Sequence, residues 1–401
     1  MKVPPKGQKT ADIPQEFLKE LSCAKYPLQV GIPRENFKGE KRLAFTPEAV
    51  DMLEDAGHRI FLEKGAGSGV NYSDAAYSEA GAEIVSREQV FGCDLIFKIA
   101  PPVPEEISLL KKRATICSML QLPDISAEII QAMAEKSVNA LGYELMSPDG
   151  LTFPVRNSIS EIEGVASISV ASELLSNDKG GKGVLLGGIP GVSPAEVVII
   201  GAGTAGMVAA RAALALGATV KVFDNDIRKL RQLQNELGIS IFTSVLQPNV
   251  LVNAFKSADV VIGSMRYIND PVRYVISENI IRTMKKGALI IDLRVNQGGC
   301  FETTCFLPPE HPPVFEKYGV LHYCIPNLSS RVARTSAMAL SNILTPLIIR
   351  MGDLGGVAGI TKTDPVFRSG LYLYSGKLVS AYVAGHFNLP FNDIGLYLSV
   401  F

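Results

Sequence analysis

The chain has 401 residues, with 39 Lys+Arg against 40 Asp+Glu for a formal net charge of −1, and 47% of its residues are hydrophobic. That length predicts two domains or slightly more, each with enough apolar residues for its own core, which excludes disorder as the dominant state. A near-neutral balance without a basic block excludes an electrostatic footprint for nucleic acid, and the tight run Lys111-Lys112-Arg113 reads as a solvated helix end.

Residues 1–26 form a polar, proline-dotted leader with no visible chemistry, and no apolar signal-like core occurs in residues 1–30. A strand is expected at Leu28–Ile32. Thr46-Pro47 then reads as a cap and first helical residue, with Val50, Leu53 and Ala56 on one face and Gly57 as the stop. Further alternation follows: a strand at Arg59–Leu62, a helix at Ser73–Ala80, and strands at Glu83–Val85, Leu95–Ile99 and Ile116–Leu120. This alternation favours a parallel sheet with helices on both faces.

Ser160–Leu175 is a long helical stretch able to link two lobes. A glycine-dense loop with some strand inside it spans Gly180–Gly191, after which alternation resumes. Strands are expected at Val197–Ile200, Thr219–Phe223, Val260–Ile262 and Leu289–Leu293, with helices at Ala205–Leu216, Ile227–Leu237 and Ile276–Met284. A second long helix, Thr335–Arg350, precedes a tyrosine-rich segment, Val366–Phe401, which docks on the outer lobe or enters a subunit contact. No internal repeat, low-complexity tract or membrane-length apolar run is visible.

The strongest motif is Val197-Val198-Ile199-Ile200-Gly201-Ala202-Gly203-Thr204-Ala205-Gly206, an apolar strand running into G-x-G-x-x-G and a helix. Gly201 permits the tight turn, Gly203 lets backbone approach a pyrophosphate, and Gly206 lets helix and strand pack closely. The helix start directs free N–H groups at the phosphates. Asp224 ends the next strand, where a carboxylate accepts from both adenosine ribose hydroxyls and repels a 2′-phosphate, favouring NAD over NADP. Arg228 and Lys229, just beyond it, face either phosphate or solvent. The six cysteines form no CxxC pair, and Cys300 and Cys305 have no histidine at a ligand interval, so a reduced cytoplasmic protein without a metal site is expected.

With these features the sequence resembles the alanine dehydrogenase and nicotinamide nucleotide transhydrogenase family. The resemblance runs from Leu28 to about Asp364 and rests on Gly31-Ile32-Pro33-Arg34-Glu35 with Arg42 and Thr46-Pro47, and on Gly65-Ala66-Gly67. It continues through Gly183–Val192, Asn296-Gln297-Gly298-Gly299-Cys300, and His322-Tyr323-Cys324 with Asn327. It implies an α/β fold of two Rossmann-like lobes with parallel sheets, the NAD lobe being inserted into a discontinuous substrate lobe. The implied segments are 27–155 for the substrate lobe, 156–329 for the NAD lobe, and 330–401 for a returning helix and C-terminal segment packing on the substrate lobe. The positions that would line the dinucleotide site are Ser160, Gly201, Gly203, Thr204, Ala205, Gly206, Asp224, Lys229, Gly263, Ser264, Met265, Asn296, Asn327 and Leu328. A homo-oligomer is the implied state, with a small amino or keto acid as the other ligand.

The implied reaction converts alanine, water and NAD to pyruvate, ammonium and NADH. Arg42 fills the slot that holds the substrate carboxylate. The family's lysine slot holds Ala100, its catalytic histidine slot Gln121 and its acidic slot Asn296. Amides orient ligands but do not shuttle protons at neutral pH. The catalytic candidates are Gln121 and Asn296 in the slots and Lys98, which lies two residues before Ala100 on an extended strand and so faces the same side, with Tyr143, Glu144, Arg266 and Arg294 nearby. Two extra arginines suit a more acidic ligand than alanine. Three readings follow: an NAD-dependent amino-acid dehydrogenase acting through substitute groups, a catalytically degenerate NAD(H)-binding homologue that senses or regulates, and, ranked last, hydride exchange between nucleotides. None of the four histidines, His58, His311, His322 and His386, falls in the family's acid/base slot.

Overall fold

A computed structural model describes residues 25–122, 125–265, 275–305, 307 and 311–400. The leader up to Ala24 and Arg266 lie outside the described residues.

Among the described residues the first sheet contains β1 (Gln29–Ile32), β2 (Arg59–Glu63), β3 (Glu83–Val85), β4 (Leu95–Phe97), β5 (Thr115–Ser118) and β6 (Asn139–Gly142). The second contains β7 (Glu196–Ile200), β8 (Thr219–Phe223), β9 (Phe242–Ser244), β10 (Val260–Gly263), β11 (Leu289–Asp292), β12 (Val314–Lys317) and β13 (Val320–Tyr323). Two late strands, β14 (Leu371–Tyr374) and β15 (Lys377–Leu378), return to the first sheet, giving the order β15-β14-β6-β5-β4-β1-β2-β3. The second sheet runs β12-β13-β11-β10-β7-β8-β9. Ignoring the appended strands, each sheet has the 3-2-1-4-5-6 order of a doubly wound dinucleotide fold.

The central strands are buried and mostly apolar because helices cover both faces. β5, β6, β7 through Val197–Ile200, β10 and β11 are buried at every residue, the burial expected of parallel strands.

The sheets are mostly parallel, as expected, with antiparallel strands added at one edge of each. β12 pairs antiparallel with β13, β14 with β6, and β15 with β14. Both hairpins turn on two residues with positive φ: Tyr318 (59°) and Gly319 (75°) in one, Ser375 (49°) and Gly376 (74°) in the other. Two consecutive positive φ values are what a type I′ hairpin requires, and its twist matches that of the flanking strands.

Two 21-residue helices tie the lobes together. α1 (Pro154–Leu174) begins six residues before the expected Ser160, with Pro154 at its first turn where a missing N–H is harmless. Its Val155 and Ile159 sit in the core of the first sheet, whereas Ala166, Ile168, Val170 and Leu174 sit in that of the second. Gly164 lets α1 lie against α2 (Thr204–Ala215), since a Cβ there would stand 2.6 Å from the Ala205 carbonyl oxygen.

α3 (Ala333–Asp353) buries Ala337, Leu340, Leu344, Ile348 and Met351 in the first core. The stretch Leu328–Asp353 is long and apolar enough to cross a membrane by composition, and this packing identifies it as a core helix. The segment after it forms β14, β15 and α4 (Ala381–Phe387), with Tyr372, Leu373, Val383 and Ala384 in the core shared with β5 and β6. The helix expected at Ile276–Met284 is reduced to Glu278–Ile281, because Ile276 forms a bridge to Phe301 instead.

Candidate active site between the lobes

The carboxyl ends of the strands carry the polar loops of both sheets, and they line two adjoining cavities. The first, about 370 Å³, lies at the end of β7 and is lined by Gly201, Gly203, Thr204, Ala205, Asp224, Lys229, Ser264 and Met265, among others.

Gly201 adopts φ 109°, open to glycine but costly for other residues, and a Cβ there would stand 2.8 Å from the Met265 nitrogen. A Cβ on Gly203 would meet nothing within 4 Å, so the space above this turn is empty of protein and open to a ligand. Gly206 is the opposite case, because a Cβ there would strike the Gly201 carbonyl oxygen. Asp224 is buried and oriented by its own backbone, one oxygen accepting from the Ala202 N–H (2.8 Å) and the other from the Asp226 N–H (2.8 Å). Each oxygen keeps a lone pair for a ribose hydroxyl. Glycine turn, helix start and fixed carboxylate together fit an adenosine diphosphate moiety. Arg228 is turned to solvent against Asp226 (2.9 Å), whereas Lys229 lines the cavity.

The second cavity, about 550 Å³, shares Arg156, Ser160 and Arg294 with the first, so the two are continuous at the start of α1. Its floor comes from the loops after β5 and β6 (Gln121, Glu144) and after β11 and β13 (Arg294, Asn296, Gln297, Asn327). The loop after β11 is held by Asp292, which accepts from the Arg294 and Cys300 N–H groups (2.8 and 2.7 Å) and from the Thr304 hydroxyl (2.6 Å). Gln121 adopts φ 27°, a strained value for a non-glycine residue, of the sort that concentrates at functional sites.

Arg42 reaches this cavity from the loop after β1. It is 3% exposed, and its fork is largely engaged: Nε and Nη2 donate to Glu40 at 2.8 and 2.6 Å, and Nη1 donates to Ser329 at 3.1 Å. Burial disfavours its charge, but Glu40 outweighs this and keeps the guanidinium protonated. Arg156 is the contrasting cation. It stacks 3.8 Å over the Phe153 ring, and among the described residues no carboxylate pairs with it, so burial lowers its pKa against the pull of Glu144. Arg294 sits 3.8 Å from Glu163.

Glu144 is 3% exposed. Its Oε1 accepts from the Gln121 N–H (3.1 Å) and the Tyr372 hydroxyl (3.0 Å), while Oε2 is buried without a hydrogen-bond partner. Burial pushes the carboxyl up to about 7, against those hydrogen bonds.

Several sequence expectations change here. Lys98 does not line the cavity: it is 2% exposed, and its Nζ sits 2.6 Å from Glu106 and 3.9 Å from Glu35. Gly263 is packed behind the site, where a Cβ would stand 2.6 Å from the Phe301 ring, and Leu328 is a core residue. Gly206 likewise supports the turn from behind. Asn296 and Asn327 line the second cavity, with Gln121. Tyr143 is buried, its hydroxyl donating to the Lys98 carbonyl (2.8 Å).

The sequence reading missed Arg156, Tyr372, Tyr382 and His386. The last three come from β14 and α4, with Tyr382 and His386 exposed at the cavity rim. The Ser375-Gly376 turn was the available signal that this tail folds back as a hairpin. His322 is structural: it contacts Thr303 (2.8 Å) and stacks on Phe315, and burial lowers its pKa to about 4.

Comparison with known proteins agrees with this geometry. Residues 31–163 match the model for the N-terminal domain of alanine dehydrogenase/PNT, and residues 167–381 match that for its C-terminal domain. The alanine dehydrogenase of Mycolicibacterium smegmatis is 37% identical over 92% of this chain and 100% of its own length. That of Bacillus subtilis is 35% identical over 88% of this chain and 93% of its own. A solved L-alanine dehydrogenase superposes with a TM-score of 0.84 at 30% identity, covering 90% of this chain and 99% of that one. The chain therefore belongs to the alanine dehydrogenase/PNT family, an oxidoreductase family that implies a nicotinamide nucleotide cofactor.

Proposed function

We propose that this protein is an NAD(H)-dependent oxidoreductase that interconverts a 2-amino acid and a 2-oxo acid. The observation that carries the reading is the continuity of the two cavities: the dinucleotide turn opens past Ser160 into a space with Arg42 on its wall. Asp224 favours NAD over NADP by charge. When bound, the nicotinamide accepts hydride from the substrate carbon. The protein's own part is to seat a carboxylate against arginine, orient the reacting carbon with amides such as Gln121 and Asn296, and move protons.

Purified protein mixed with NADH, ammonium and a panel of 2-oxo acids, monocarboxylic and dicarboxylic, is expected to consume NADH with at least one of them. Arg156 gives dicarboxylates reason to be in the panel, since a half-buried guanidinium without a carboxylate partner binds an anion well. NADH binding without turnover on any member rejects the dehydrogenase reading. It favours instead an NAD(H)-binding homologue, which the neutral Ala100, Gln121 and Asn296 independently suggest.

A further inference from the structure

We propose that Glu144 is the proton-carrying catalytic residue of this site, taking over the work of the titrating groups absent at Ala100, Gln121 and Asn296. The inference rests on the dehydrogenase reading above. It stands on placement: a carboxyl in the wall of the substrate cavity, one oxygen clamped by two donors, the other buried without a partner. The clamp is built from distant parts of the chain. Gln121 presents its N–H through a strained turn after β5, and Tyr372 reaches over from β14. Gly142 makes room for both, since a Cβ there would stand 2.6 Å from the Tyr372 ring and 3.1 Å from each Glu144 oxygen.

An ordinary carboxylate is a poor base and an ordinary carboxylic acid is absent at neutral pH. A carboxyl titrating near 7 serves in both directions. The charged and titratable groups around it are Arg42 from the loop after β1, Arg156 and Glu163 on α1, and Arg294 after β11. Tyr372 on β14 and Tyr382 and His386 on α4 complete the set, with Tyr143 adjacent in the chain.

In the oxidative direction the ionised carboxylate takes one proton from the substrate ammonium, leaving a neutral amine. With a nicotinamide bound as hydride acceptor, the α-carbon would give up hydride with its electron pair, and the amine nitrogen would supply the new C=N bond. Glu144 releases its proton to solvent through the cavity mouth, the net proton of the reaction. It next takes a proton from water as the water oxygen bonds to carbon, and returns that proton to nitrogen. As the C–N bond breaks, Glu144 takes the hydroxyl proton, the C–O bond becomes a carbonyl, and the proton passes to ammonia to leave as ammonium.

The test uses the full-length protein and its best 2-oxo acid. The wild type is expected to show a limb near pH 7 in kcat/KM. Glu144→Gln, which keeps the shape and the clamp, is expected to lose that limb and about 10²- to 10⁴-fold in kcat, with NADH affinity and KM little changed. Tyr372→Phe removes one donor that favours the charged form, so its limb moves to higher pH. A readout apart from activity is the carboxyl resonance of glutamate-δ-¹³C protein: one resonance titrating near 7 disappears in Glu144→Gln. Retention of the rate and limb by Glu144→Gln in an active enzyme overturns the inference alone, as does a limb abolished by His386→Asn instead. A wild type that binds NADH but turns over no 2-oxo acid overturns the dehydrogenase reading, and this assignment with it.

Discussion

The three glycines of the turn after β7 have distinct jobs that only their surroundings separate. Gly203 has ordinary φ (−73°) and empty space above it, so alanine fits the protein but occupies the ligand's approach. Gly203→Ala is expected to leave unfolding within about 0.5 kcal/mol of wild type. Its NADH affinity should fall by at least about tenfold, equivalent to about 1.4 kcal/mol. Gly206→Ala drives a methyl into the Gly201 carbonyl and towards Ser264, and overpacking of that kind costs about 1–3 kcal/mol. Denaturant melts with NADH titrations separate the two, and equal stability losses would show that Gly203 is packed like Gly206. The fingerprint and Asp224 were legible in sequence because each is a local signal, whereas Arg42 was singled out only through the family resemblance. Lys98 was not. Its alternation with Ala100 suggested a shared direction, and the buried carboxylates Glu106 and Glu35, remote from that pattern, decided otherwise.

At the scale of elements, apolar strands with capped helices were readable as alternation, and that alternation is why the doubly wound lobes could be anticipated. The antiparallel edges escaped because β15 has two residues and β14 four, too short for periodicity, and their partner β6 lies more than 200 residues earlier. The second cavity inherits that blindness: Tyr372, Tyr382 and His386 reach it only through this hairpin and the helix after it. α1 shows how an element couples packing to chemistry. It touches the first core with Val155 and Ile159, opens both cavities with Arg156 and Ser160, and closes on α2 at Gly164. Gly164→Val should push α2 and its dinucleotide-facing start away from α1. The expected outcome is a stability loss of about 1–3 kcal/mol with weaker NADH binding, measured by denaturation and fluorescence titration. Loss of stability with unchanged affinity would mean that the helix contact does not position the turn.

For the whole molecule, a net charge of −1 leaves little long-range repulsion, so pH acts on stability through a few buried groups. Burial of His322 holds its pKa at about 4, below its ordinary 6.5, so the folded state binds fewer protons than the unfolded chain in that interval and stability rises with pH there. Glu35 and Glu144 act oppositely. Each is raised from 4.5 to about 7, so its contribution is fully present below pH 4.5 and is lost as pH rises through 7. Comparing wild type with Glu144→Gln isolates one of these groups, because the other buried groups are common to both proteins. At 1.36 kcal/mol per unit, ionising Glu144 in its buried clamp removes about 3 kcal/mol from the wild type, a loss the neutral amide does not suffer. Urea unfolding of both proteins at about pH 5 and about pH 8 should therefore show the stability difference moving toward the variant by about 2–3 kcal/mol at the higher pH. A difference that stays constant would mean that Glu144 ionises as freely in the folded protein as in the unfolded chain, and the cavity wall would then lack the buried carboxyl on which the proposed proton chemistry depends.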